Sequence, residues 1–492
     1  MSKSMIVFAA AAALLAGCGK EVDTSVFKAT VEPTTENGKV VYSGGRLLWS
    51  ANDQISVRDA SSNTAVYEIA SSCVGTANGE YIKSSGADLA SGPYTVVYPA
   101  DIRTSANQVT LPAVQYTPDG SLHGLPMYAV SDDMNLKFYH LCGVVRFRLS
   151  ATSSVKVIRI AVATNCNTNG STSISGREKS VRISTPTGNN VTTLACCNTD
   201  GIDISNDFYM YLPAGNYSEF RILITTSDGT RCLKSATSNI IIERSKITTI
   251  TLNDLSFIAY RQKYRQYPND LTCIFAPGNY QLQPSTGTTR YAARQYDKIP
   301  LDDYNGNCHF TYASYTTYSG WFDRFCHYET YPINTTNYRL EKFWVLPSYQ
   351  HPWYLPTNTE LDMIKNDNSW IWATVDGVSG IIFFPIGYTH PNNVTSPTFI
   401  QGQGYPQYDN REGYSDNIYT AYDWFLMESA GCTFLPSGYY WTPATGSSGT
   451  TYYYDFEAPY YAYGFGWCRP GSYYYYNHKP SFIRGIRRLN PA

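Results

Sequence analysis

Tyr452-Tyr-Tyr454, Tyr460-Tyr461-Ala-Tyr463 and the run Tyr473 to Tyr476 surround Trp467. Tyrosine and tryptophan offer large, rigid contact area at low entropy cost, with one polar end. Such a set can stack on sugar rings or anchor a protein partner. Gly464, Gly466 and Gly471 keep the intervening backbone adaptable, and Asn477, His478 and Lys479 supply polar groups. Trp441, Tyr461, Trp467, Tyr474 and Asn477 are therefore the candidate ligand-binding residues. Any single tyrosine here is also accounted for by its high strand propensity. It is the clustering that points to binding.

Catalytic chemistry finds little support. There is no G-x-S-x-G, H-E-x-x-H or phosphate loop. A glycosidase carboxylate pair cannot be picked out of 39 acidic residues without a fold to bring two together. No C-x-x-C occurs and the seven histidines are scattered, so zinc spacing is missing. The expectation is a protein that is not an enzyme, with no metal and no cofactor. Lys plus Arg number 37 against 39 acidic residues, a net charge of −2, which argues against a nucleic-acid protein. An apolar content of 43% argues against disorder.

The N-terminus carries a different chemistry. Lys3 precedes an apolar run, Met5 to Leu15, that is too short for a membrane-spanning helix. Small residues follow, as in a secretory signal peptide. The closing Leu15-Ala16-Gly17-Cys18 resembles a bacterial lipoprotein signal. That resemblance implies cleavage before Cys18 and acylation of its thiol (a palmitate-type lipid), which anchors the protein in the outer membrane by lipid alone. Lys20-Glu21-Val22-Asp23 resembles the surface-export tag of Bacteroidetes lipoproteins. Eleven cysteines remain after Cys18, an odd number, so at least one thiol is free or pairs between chains. Most are expected to be small core residues.

The elements that would position these groups differ between the two halves. Residues 1–254 hold 11 of the 44 tyrosines, and of the nine tryptophans only Trp49 precedes residue 321. Residues 19–254 read as all-β. Val145, Phe147 and Leu149 alternate with Arg146 and Arg148 at the period of a half-buried strand. Further runs are Tyr94 to Tyr98, Val155 to Val162, Phe208 to Leu212, Phe220 to Thr225 and Ile247 to Leu252. Asn37-Gly38, Asn78-Gly79, Asp119-Gly120 and Asp228-Gly229 mark turns between strands. Short, regular strands of this kind suggest sandwiches, and the length suits two.

Trp49-Ser-Ala-Asn-Asp53-Gln-Ile55-Ser-Val57 resembles the W-x-x-x-D-x-I-x-V segment of the fimbrillin-like proteins of Bacteroidetes. Tyr94 to Pro99, Val109 to Pro112, Gln115, Pro126-Met127 and Phe138 to Phe147 continue the pattern in order. The resemblance implies tandem transthyretin-like β-sandwiches and a fimbria (pilus) subunit, anchor or accessory protein. It also implies joining to other fimbrial subunits by strand donation, in which an added strand completes an open sheet edge. Such joining follows removal of the first strand at a basic residue, for which Lys28 and Arg46 are the candidates. Both are equally read as ordinary surface charges.

In residues 255–492, Thr357 followed by Glu360 has the form of a capping box and predicts a helix from about Asn358 to Lys365. Ile382-Phe-Phe-Pro385-Ile-Gly387-Tyr388 and Phe434-Leu-Pro436-Ser-Gly438-Tyr439 echo one another as apolar strands closed by Pro-x-Gly-Tyr. Trp353, Leu355, Pro356, Thr357 and Glu360, then Leu435, Pro436, Gly438 and Tyr439, then Tyr440-Trp441-Thr442, then Ser481 to Arg487, resemble the C-type-lectin-like domains of Bacteroidetes and Fibrobacter surface proteins. Glu-Pro-Asn and Gln-Pro-Asp, the tripeptides of calcium-dependent sugar binders, are both missing.

The expected fold class is mainly β: two tandem transthyretin-like β-sandwiches followed by an α+β C-type-lectin-like domain. The expected division is a signal peptide at 1–18, sandwiches at 19–133 and 134–254, and a lectin-like head at 255–492. The expected function is a surface lipoprotein of the outer membrane acting as a fimbrial tip or accessory subunit. Adhesion to a glycan or protein ligand would run through the head. The alternatives are a glycan-capture lipoprotein of a polysaccharide-uptake system and a purely structural fimbrial cap.

Overall fold

The computed structural model describes residues 26–36, 39–40, 48–266, 269–283, 285–297, 321, 324–325, 353, 356, 358–397, 417–436, 439–442, 452–455, 481–482, 484 and 486–489. The fold is mainly β.

The seven strands of a closed barrel are β1 (Val26–Val31), β2 (Gln54–Arg58), β3 (Thr64–Ile69), β4 (Gly79–Gly86), β5 (Tyr94–Tyr98), β6 (Met127–Ser131) and β7 (Asn135–His140). They hydrogen-bond in the closed order β1-β7-β6-β5-β2-β3-β4. β1 closes the circle, antiparallel to β4 and parallel to β7. The sandwich expected in this segment therefore has no open sheet edge. Alternation sets its two faces: Phe27 and Ala29 of β1 point into the core while Lys28 and Thr30 face out. The residues of the Trp49 segment meet inside. Trp49 packs edge-to-face on Tyr81 and Tyr98, with ring centroids 5.4 Å and 5.3 Å away, and lies beside Phe138. Asp53 accepts hydrogen bonds from the Ser50 N–H (2.7 Å) and the Tyr98 hydroxyl (2.9 Å).

The second body is a sandwich. Its strands are β8 (Cys142–Ala151), β9 (Lys156–Thr164), β10 (Val191–Cys196), β11 (Phe208–Pro213), β12 (Phe220–Thr226), β13 (Arg231–Ser235) and β14 (Lys246–Leu255). One sheet runs Val114–Thr117, β10, β9, β12, β13. The other runs β11, β8, β14, Thr35–Glu36, Lys39–Val40. Val145, Phe147 and Leu149 face Ile160, Val162, Ile222 and Ile224 across the interior. Arg148 is exposed as the alternation predicts, while Arg146 on the same outer face is covered and donates to Thr249. The Asp228-Gly229 turn links β12 and β13 as read from the sequence. Thr35–Glu36, Gln108–Leu111 and Val114–Thr117, although early in the chain, pair with strands at 246–247, 170–173 and 193–196. The barrel and the sandwich are thus woven together.

The C-terminal part contributes β15 (Gln262–Gln266), β16 (Asn269–Phe275), α1 (Asn358–Asp367), β17 (Trp370–Val375), β18 (Val378–Phe383), α2 (Ala421–Ser429), β19 (Thr433–Pro436) and β20 (Ile486–Leu489). α1 falls where the helix was expected, with Glu360, Leu361 and Ile364 buried; Thr357 lies outside the described residues. Asn368 ties α1 to β15, donating to the Lys263 carbonyl (2.6 Å) and accepting from its N–H (2.8 Å). The two echoing Pro-x-Gly-Tyr segments pair with each other: β18 runs antiparallel to β19, with Ile382 opposite Phe434. Among the described residues no disulfide forms, and Cys142, Cys196, Cys232 and Cys432 are buried.

Candidate functional site

Of the candidate ligand-binding residues, Trp441 lies in the strand Tyr439–Thr442 and is paired with Tyr453 of Tyr452–Asp455. Tyr461, Trp467, Tyr474 and Asn477 lie outside the described residues, as do Cys18 and Arg46. Ser481–Phe482 pairs with the other edge of Tyr439–Thr442, in parallel. Asp455 and Ser481, which bracket residues 456–480, therefore stand on either side of the strand that carries Trp441.

The C-terminal part is docked on the second sandwich. Ala161 and Ala163 of β9, Val191 of β10 and Leu223 of β12 present an apolar outer face. Trp424, Phe425 and Tyr296 cover it. The start of α2, which lies in this contact, is fixed by a capping box. The Thr420 hydroxyl accepts from the Asp423 N–H (3.1 Å), and the Asp423 carboxylate accepts from the Thr420 N–H (2.9 Å). The spacing Thr420-Ala-Tyr-Asp423 was the signal in the sequence for this second helix. Gly431 ends it with φ of +99°, and a Cβ there would sit 2.2 Å from the Tyr260 ring.

Within this apolar joint lies a charged network that spacing could not reveal. Arg159 of β9 pairs with Glu428 of α2, and both are buried. Arg159 also donates to the Ala293 carbonyl (3.1 Å) and the Thr225 hydroxyl (3.2 Å). Arg231 of β13 donates to the carbonyls of Glu428 (2.8 Å) and Cys432 (2.9 Å). Gln295 donates to the Glu428 carboxylate (2.8 Å) and accepts from Arg484 (2.7 Å). Burial alone would raise the Glu428 carboxyl, but Arg159 and Arg231 outweigh it and hold it below the usual carboxylate range.

Two contacts anchor the edges of the joint. At one, Trp353 donates its indole N–H to the Ser227 carbonyl (3.0 Å) and packs on the β12–β13 turn. Gly229 is required there, because a Cβ would lie 2.8 Å from the Trp353 ring. Arg487 reaches Asp228 of the same turn at 3.6 Å. At the opposite edge, the Arg290 guanidinium stacks between Tyr116 (4.1 Å) and Trp321 (4.0 Å).

The candidate processing residue Lys28 sits in the middle of β1, exposed, with Asn135 and Glu80 as its neighbours on either side. Beyond it, Ala29, Thr30 and Val31 continue the pairing with β7. Glu32 then enters a cluster between the barrel and the sandwich. It pairs with Arg244 and accepts from the Ser245 hydroxyl (2.5 Å) and the His140 N–H (2.6 Å). His140 is fully enclosed, and burial lowers its imidazole to about 4.

No protein-family profile and no curated protein matches this chain. Among solved structures it aligns with a candidate cell adhesion protein from Bacteroides ovatus at 10% identity and TM-score 0.31, covering 48% of this chain and 95% of that one. It aligns with a fimbrial assembly protein from Parabacteroides distasonis at 8% identity and TM-score 0.25, covering 55% and 99%. It aligns with the tip fimbrial protein Mfa3 from Porphyromonas gingivalis at 11% identity and TM-score 0.24, covering 48% and 99%. At these scores the alignments assign no family.

Proposed function

We propose that this chain is a surface lipoprotein that serves a fimbria as a tip or accessory subunit, with its adhesive face in residues 255–492. Cys18 carries the lipid that ties it to the outer membrane. Residues 19–133 and 134–254 form the stem, and residues 255–492 form a lectin-like head. The observation that carries the reading is convergence. Trp49, Asp53, Tyr98 and Phe138, scattered through the segments that resemble fimbrillins, meet in one barrel core. Trp353, Glu360, Leu435 and Arg484, drawn from the lectin-like pattern, are likewise all buried in the C-terminal part. Residues used this way are the ones a fold needs to keep, which favours a common architecture over chance similarity.

The proposed binding residues are Trp441, Tyr461, Trp467, Tyr474 and Asn477; what supports the grouping is that Asp455 and Ser481 flank the strand of Trp441. Aromatic side chains there stack on a sugar ring or fill a partner's pocket.

The test uses cells displaying the full chain. Glycan and protein binding is compared with that of the double variant Trp441→Ala, Trp467→Ala. Loss of roughly tenfold or more in affinity is expected. Unchanged binding to every ligand would reduce the head to a structural cap. Shearing the cells settles the setting: recovery with fimbriae is expected, whereas retention in the membrane fraction points to glycan capture outside a fimbria.

A further inference from the structure

The outer face of the sheet Val114–Thr117, β10, β9, β12, β13 is covered from edge to edge by residues 255–492. Arg290 stacks on Tyr116 of the first strand. Glu428 meets Arg159 in the middle. Trp353 and Arg487 clamp the Asp228-Gly229 turn at the far side. We infer that the second sandwich and the C-terminal part are a single cooperative folding unit, locked by Glu428 between Arg159 and Arg231. The described core around α2 cannot unfold separately from this sandwich.

The chemistry makes the lock obligatory. Two sandwich arginines, each nearly fully buried, find their acceptors on the other side of the joint: the Glu428 carboxylate and the carbonyls of Ala293, Glu428 and Cys432. Without the C-terminal part both guanidinium groups would lose those partners, beside an apolar sheet face open to water. In turn, α2 buries Trp424, Phe425 and Leu426 together with Glu428, in one cluster with Ala161, Ala163 and Leu223 of the sandwich. Each side supplies what the other lacks, so partial opening is costly on both. The lock also commits this sheet face to an internal contact. The inference concerns the joint alone and stands whether or not the head is adhesive.

Hydrogen exchange of the full chain through a urea titration tests it. Peptides from β9 and β12 report the sandwich, and peptides from α2 and β17 report the C-terminal part. One shared midpoint is expected. Glu428→Gln should lower that midpoint for both sets together. Should that variant fail to fold, the milder Asp228→Asn at the surface clamp must still move both sets by the same amount. Two separate midpoints in the native chain, or a shift confined to the C-terminal peptides, would overturn the inference.

Discussion

Gln115 shows how much one side chain can decide. It is buried, donates to the Tyr211 carbonyl (2.8 Å) and accepts from the Tyr211 N–H (3.0 Å). It thereby acts as a strand partner for the free side of β11, whose other side is paired with β8. Gln115→Ala leaves two buried backbone groups without these bonds and should cost roughly 2–3 kcal/mol in urea unfolding. Gln115→Glu, which keeps the shape but loses the donor, should also destabilise. His140 gives a pH signature. Its folded value near 4 lies below the ordinary value of 6.5, so the unfolded chain binds the extra proton. Stability from this group is fully present above pH 6.5 and is lost as pH falls toward 4. The loss is on the order of 3 kcal/mol. His140→Leu should flatten that part of the stability curve, measured by unfolding at pH 7, 5.5 and 4.

At the scale of the element, β1 is the informative strand. Lys28 is exposed, but its backbone is held in ladders on both sides. A protease needs an extended, unpaired segment, so the bond after Lys28 should resist limited trypsin digestion in the folded protein. Mass analysis of the fragments checks this. If Lys28 is a maturation site in cells, the cut must precede barrel closure or follow local opening. A cut there would still leave Ala29 to Val31 on β7 and Glu32 clamped by Arg244. The helices teach a related lesson. α1 was legible from Thr357 and Glu360, because capping is a local affair. α2 carries the equivalent Thr420 and Asp423, and its burial on all sides hid the amphipathic pattern that usually reveals a helix.

For the whole molecule, the joint changes the picture of a head on a stalk. Leu255, the first residue of the expected head, is buried in the core of the second sandwich. Ending the chain at residue 254 would expose Ala161, Ala163 and Leu223 and strip Arg159 of Glu428. The expected outcome is an insoluble or self-associated product in size-exclusion chromatography rather than a stable monomeric stem. Deletion of residues 255–492 is for the same reason a poor probe of adhesion, and point substitutions at the aromatic residues are the cleaner test.

Strand positions, the α1 start and the Asp228-Gly229 turn were readable from the chain alone. Each depends on local backbone geometry and on which side of a strand meets water. The excess of tyrosine after residue 255 likewise marked where the two halves differ in construction. What the chain could not announce was partnership across distance. Arg159 and Glu428 stand 269 residues apart, and nothing near either names the other. The parallel closure of the barrel by β1 and the sealing of β11 by Gln115 are of the same kind. Such pairings are selected by which surfaces the folded chain brings together and by the cost of leaving a buried charge or backbone group unmatched. Only the tertiary structure decides them.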